Sequence, residues 1–128
     1  MAQILIAEDD LSVQSFVSRA LTHRGHKVTA VGDGQRALQV LSRRSFDLLI
    51  TDIVMPGLDG IELALRVSDD YPDMPVLLMT GYSAERQRAH NVDELICEVV
   101  TKPFTLQQIC KTAERVVAEG RGPARRST

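Results

Sequence analysis

Leu48 to Gly57 reads LLITDIVMPG, a run of large aliphatic residues halted by one carboxylate, Asp52, with a proline and a glycine close behind. A run this short, bounded by turn residues, suits a strand covered on both faces better than a helix, whose apolar positions would recur every three to four residues. Some of the best core sequence in the chain thus delivers a charged group to a strand end. Similar patches return at Ile4–Ala7, Val28–Val31, Val76–Met79 and Ile96–Val100, which predicts five strands.

Between these patches the spacing changes. Val13, Phe16, Val17, Ala20 and Leu21 follow i, i+3, i+4, i+7, i+8, the stripe of a helix laid on a sheet. Leu106, Ile109, Cys110, Ala113 and Val117 form a second stripe near the end. Gly25 is placed to end the first helix, while Asp59 with Glu62, and Thr105 with Gln108, have the spacing of capping boxes. Strands alternating with helices imply crossovers and a parallel sheet clothed on both sides. The expected fold is therefore α/β: a doubly wound five-stranded parallel sheet, flavodoxin-like order 2-1-3-4-5, with five helices on both faces. One helix fits badly, because Ser83 to Asn91 (SAERQRAHN) offers only small apolar side chains. It reads as the loosest element, either a surface that changes conformation or a poorly packed helix without a role.

The chain has 128 residues, 44% of them hydrophobic and 25% charged, which suits one globular domain with a real core. Fifteen Lys and Arg against 17 Asp and Glu leave a net charge of -2, so no overall field draws the protein to nucleic acid or to an anionic membrane. Apolar runs are too short to span a bilayer and the amino terminus, MAQILIAEDD, turns acidic where a signal peptide would stay apolar, so a cytoplasmic location is expected. Cys97 and Cys110 lack the close spacing of a metal or redox pair and read as small core residues, with no disulfide. His23 and His26, at a helix end and the following turn, lack a third ligand and read as surface histidines.

In open parallel sheets the reacting site lies beyond the carboxyl ends of the strands. The first strand ends in Glu8, Asp9 and Asp10, the third in Asp52, the fourth in Thr80 and Gly81, the fifth in Lys102 and Pro103, while the second offers only Gly32 and Asp33. In the order 2-1-3-4-5 the first and third strands are neighbours, so Asp9 and Asp52 converge with Thr80 and Lys102 beside them. Carboxylates gathered in one cleft repel one another and call for a cation, and an all-oxygen set of this charge suits Mg²⁺. Such a site binds phosphate well. Metal, lysine, and the hydroxyl or N–H groups of Thr80 and Gly81 would share the phosphoryl charge, leaving Asp52 as the in-line nucleophile.

The residues at these ends resemble the receiver domain of bacterial two-component response regulators: the cluster IAEDD, the stretch TDIVMPGLDG, MTG after the fourth strand and TKPF after the fifth. The likeness runs through the last helix, making 1–119 the expected receiver domain and 120–128, GRGPARRST, a disordered basic tail. It implies that Asp52 accepts a phosphoryl group from a histidine kinase or histidine phosphotransferase. It also implies that Asp9, helped by Glu8, by Asp52 and by the Val54 backbone carbonyl, holds Mg²⁺, and that Lys102, preceding a cis proline, pairs with the phosphoryl oxygens. Thr80 becomes the switch hydroxyl, and the output surface comprises the fourth helix, fifth strand and fifth helix. At the second switch position Val99 stands where many receivers carry an aromatic, so a rotating ring cannot relay the signal there; the neighbouring Tyr82 reads as a tyrosine with its ring partly packed and its hydroxyl in water rather than as a substitute. Such a domain is not an enzyme in its own right, though it assists its own phosphorylation and dephosphorylation. A stand-alone receiver acts by docking on another protein, and the stretches IAEDD and DLLITDIVMPGLDGIELA look most like the CpdR-type receivers that regulate proteolysis by an AAA+ protease.

Three other readings share parts of this pattern. A haloacid-dehalogenase-like phosphatase also uses a strand-end aspartate with Mg²⁺, but needs a second aspartate where Val54 stands. A flavin-binding protein of similar fold needs a phosphate-cradling loop after the first strand, where this chain is acidic. A phosphorylation-independent interaction module would share the fold without using the site.

Overall fold

The structure, a computed structural model, describes residues 1–81 and 97–119. Five parallel strands, β1 (Gln3–Ala7), β2 (Lys27–Val31), β3 (Leu48–Asp52), β4 (Val76–Thr80) and β5 (Cys97–Thr101), form one sheet in the order β2-β1-β3-β4-β5. Among the described residues four helices cover it: α1 (Leu11–His23), α2 (Gly34–Leu41), α3 (Gly60–Asp70) and α4 (Leu106–Glu119). The further helix expected on Ser83–Asn91 lies outside the described residues, as do Tyr82 and the tail 120–128.

Alternation along each strand divides the core in two. Ile4 and Ile6 of β1, Leu48 and Ile50 of β3 and Leu77 and Met79 of β4 pack with Val17, Ala20 and Leu21 of α1 and Ile109, Cys110, Ala113 and Val116 of α4. Leu5, Leu49 and Leu78 face the other way, onto Ala37 and Leu41 of α2 and Leu63, Ala64 and Val67 of α3. β3 and β4 are buried at every position, as expected for strands clothed on both faces. Burying each large aliphatic side chain stabilises the fold by roughly 1.5–3 kcal/mol, and this holds the central strands rigid.

Two residues of the predicted stripes do not join the core. Phe16 is 41% and Leu106 44% exposed, and Val116, rather than Val117, is the buried one of its pair. Phe16 sits instead against the Phe104 ring, with centroids 6.3 Å apart, beyond the strip of α1 that the sheet covers. His26 also departs from expectation: it is largely buried, its Nδ1 accepts from the Ala2 N–H at 3.1 Å, and its Nε2 lies 2.9 Å from Glu114. Cys110 is buried and free; the Cys97 side chain lies outside the described residues.

Helix starts follow local chemistry. Asp10 and Asp33 cap α1 and α2 by accepting backbone N–H groups, and Asp59 and Glu62 form the full reciprocal box at α3. Thr105 and Gln108 exchange the same pair of bonds before α4. The αL turn after α1 falls on Gly25, at φ 93°. Asp59→Ala should lower stability by about 1 kcal/mol in denaturant unfolding, since it orphans the Glu62 N–H; an unchanged midpoint would show that the box contributes nothing.

Candidate functional site

Parallel register decides which strand ends become neighbours. Ala7 pairs with Thr51, so the next residues, Glu8 and Asp52, reach the top of the sheet side by side. Asp52 pairs with Met79 and Thr80 with Thr101, and the Lys102 N–H then donates to the Thr80 carbonyl at 2.6 Å. Residues from four separate segments thus meet in one place.

There, Glu8, Asp9 and Asp52 each offer a carboxylate oxygen, all within 4.8 Å of one another. Glu8 is fully buried and Asp52 is 6% exposed, while Asp9 opens to solvent. Lys102 Nζ donates to Asp52 Oδ1 at 2.9 Å and lies 3.5 Å from Glu8 Oε1, bridging the two buried carboxylates. Lys102–Pro103 is cis. Glu8 Oε2 accepts from the Asp10 N–H at 3.0 Å, but among the described residues Glu8 Oε1 and Thr80 Oγ1 are buried with no hydrogen-bond partner. Orphaned buried oxygens are costly and point to a missing partner.

The electrostatics follow from this crowding. Burial, chiefly, pushes the Glu8 carboxyl up to about 7; the Asp52 charge and the Asp9 hydrogen bond add to the rise, while the Asp10 N–H and Lys102 oppose it. For Lys102 burial works against the charge, but the hydrogen bond and charge of Asp52, with those of Glu8, outweigh it and hold the ammonium above its ordinary value. The trio therefore carries more negative charge than one lysine neutralises. A small, hard divalent cation that keeps some of its water fits this all-oxygen set, with one open side at Asp9 and, at Glu8, an oxygen that is ion-paired with Lys102 but accepts no hydrogen bond among the described residues.

The other expected residues fall around this centre. Gly81 continues directly from β4, the Val54 side chain is exposed two residues beyond Asp52, and Val99 is half-buried against the cluster that contains Leu78. Asp10, part of the acidic run in sequence, turns away to cap α1. Two contributors escaped sequence reading. Gln14 of α1 donates to the Glu8 carbonyl at 2.9 Å and the Val31 carbonyl at 3.1 Å, tying two strand ends together. Gly60 lies directly behind Asp52, a placement no local pattern announces. Size is a poor guide to the site: a groove of about 690 Å³ opens at the opposite ends of the strands, lined by Arg44, Phe46, Asp47 and Tyr71. Its Arg44 is held by Thr29 and the Phe46 ring, and its Asp47 by the Gln3 N–H.

A doubly wound α/β domain with three clustered carboxylates and a lysine at its switch point has its polar site where open parallel sheets place their ligands. The chain belongs to the response regulator receiver domain family, whose profile matches residues 4–114. It is 37% identical over 117 residues to the response regulator receiver protein CpdR of Brucella abortus, a match covering 91% of this chain and 98% of that protein. With the response regulator protein FleR of Pseudomonas aeruginosa it shares 35% identity over 89% of its own length but spans only 24% of that protein. Among solved structures it is similar to the chemotaxis response regulator CheY4 of Vibrio cholerae, at TM-score 0.81 and 30% identity, covering 91% of this chain and 98% of that one. It is also similar to NtrX of Brucella abortus, at TM-score 0.85 and 26% identity over 92% of this chain and 28% of that one. Among the described residues no helix is long and apolar enough to cross a membrane.

Proposed function

We propose that residues 1–119 form a receiver that takes a phosphoryl group on Asp52 from a histidine kinase or histidine phosphotransferase and uses it to change how the protein docks on a partner. The observation that carries this reading is the meeting of Glu8, Asp9 and Asp52 within 4.8 Å, with Lys102 at 2.9 Å from Asp52. An Asp52 oxygen bonds to phosphorus as the donor's leaving group departs, giving an acyl phosphate. Lys102, already beside that carboxylate, stays with the incoming oxygens. Asp9, Asp52, the Val54 carbonyl and, less directly, Glu8 would hold Mg²⁺, which when bound would supply the remaining neutralisation of charge.

The switch rests on Thr80 and Gly81. The buried Thr80 hydroxyl, which has no hydrogen-bond partner among the described residues, gains one when a phosphoryl group arrives at Asp52, so the phosphorylated protein favours the conformer in which Thr80 Oγ1 and the Gly81 N–H reach it. Val99, half-buried against the core beside β4, offers no ring to rotate, so the change passes through backbone and aliphatic contacts. A protein partner reads the result, an AAA+ protease being the favoured class from the likeness to CpdR, and the protein works in the cytoplasm.

The test is phosphate incorporation from a small-molecule phosphodonor. Wild-type protein with Mg²⁺ is expected to label, chelation to return labelling to background, and added Mg²⁺ to restore it. Failure to label with Mg²⁺ present would favour an interaction module that works without phosphorylation.

A further inference from the structure

We infer that Gly60 is a positioning residue for Asp52: α3 begins so close behind the acceptor that any side chain at position 60 would move it. A Cβ built on Gly60 would collide with the Asp52 carbonyl oxygen and lie 2.8 Å from the Asp52 carbonyl carbon and 2.9 Å from Ile53 Cα. These are backbone atoms, which cannot swing aside as a side-chain tip can. The Gly60 N–H also donates to the Ile53 carbonyl at 2.8 Å, and Asp59 caps the helix one residue earlier, so α3 is locked to the end of β3 at this point. To admit a methyl group, either the helix retreats or the peptide after Asp52 rotates. Either response shifts the Asp52 carboxylate relative to Lys102 Nζ and to the Glu8 and Asp9 oxygens, and phosphoryl transfer depends on that registration.

A matched control exists in the same chain. Gly34 is likewise the first residue of a helix behind a capping aspartate, Asp33, and a Cβ there would meet the Leu58 carbonyl oxygen at 2.7 Å. Both positions are Asp-Gly helix starts crowded by backbone, but only Gly60 touches the acceptor residue. Gly60→Ala meets the closer and more extensive backbone contact and is expected to cost the fold more than Gly34→Ala, so the labelling of each variant is compared per folded molecule.

The inference rests on the acceptor reading of Asp52. Phosphate incorporation from a small-molecule phosphodonor with Mg²⁺ would be compared for wild type, Gly34→Ala and Gly60→Ala, in a stabilising osmolyte with folding checked by circular dichroism. Gly60→Ala is expected to label about 10- to 100-fold more slowly than wild type, and Gly34→Ala within about threefold of it. Equal slowing of both variants, wild-type labelling by Gly60→Ala, or a Gly60→Ala chain that stays unfolded in osmolyte would each overturn the positioning role. A crystal structure of Gly60→Ala gives a readout independent of labelling. Displacement of the Asp52 carboxylate from Lys102 Nζ upholds the inference even if wild type does not label, and an unmoved pair refutes it.

Discussion

Asp52→Asn should abolish phosphate incorporation while leaving the fold intact. An amide has the shape of the carboxylate but is no nucleophile towards phosphorus, so labelling is expected to fall by more than about 10³-fold, the scale on which proteins respond to loss of a nucleophile. The fold survives because the substituted amide oxygen can still accept from Lys102 Nζ, now 2.9 Å from Asp52 Oδ1, and because removing one charge relieves the repulsion among Glu8, Asp9 and Asp52. The measurement is labelling by a small phosphodonor with Mg²⁺, with circular dichroism of both proteins. Labelling of Asp52→Asn at the wild-type level would place the acceptor elsewhere.

The second large effect is on stability and is confined to a stated pH range. In ion-free protein the Glu8 carboxyl holds its proton up to about 7, against 4.5 for the ordinary group. A group that binds its proton more tightly when folded stabilises the fold fully below about pH 4.5, and that contribution is lost as the pH climbs through about 7. At about 1.4 kcal/mol per pH unit the interval is worth about 3 kcal/mol. Lys102, raised at the alkaline end, contributes no slope in this window. In chelator, Glu8→Gln should therefore match wild type near pH 4.5 and exceed its unfolding free energy by about 3 kcal/mol at pH 8. Added Mg²⁺ should recover most of this loss in wild type and do less for the variant, because the cation compensates the ionised carboxylates that Gln lacks. Denaturant unfolding at both pH values, with and without Mg²⁺, measures all four quantities. Parallel pH profiles for the two proteins would show that Glu8 does not carry the effect.

The two predictions act on different links. Asp52 is judged by chemistry and Glu8 by the cost of assembling the site, so one can fail without the other. Both derive from the same feature, a cleft in which, among the described residues, three carboxylates face one lysine. That excess makes the folded, ion-free site less stable than an apolar equivalent would be, as expected where function is placed above packing.

Much of this arrangement could be read before any coordinates. Short aliphatic runs such as Leu48–Ile50 announce strands because a strand buried on both faces has no use for alternation, and Gly25, Asp59–Glu62 and Thr105–Gln108 mark helix ends because capping uses neighbours in the chain. The residues at the site were legible for a related reason: acidic, hydroxyl and cationic groups each closed a buried run, where packing has no need of them. Phe16 and Leu106 show where such reading stops. Helical spacing says which residues share a face, but how far the sheet extends beneath that face depends on the partner element, and these two lie beyond it.

What sequence alone settled has its cause within a few residues: the strands, the stripes of α1 and α4, the caps at Asp59 and Thr105, the turn at Gly25, and the polar groups set at the strand ends. Folding had to supply the relations between distant segments. The register that sets Glu8 beside Asp52, the 2.9 Å reach of Lys102, the burial that lifts the Glu8 carboxyl and the bare backbone of Gly60 behind the acceptor all arise from contacts across the sheet. Propensity and spacing act along the chain, whereas distance, desolvation and steric exclusion act through space, and no single segment contains them.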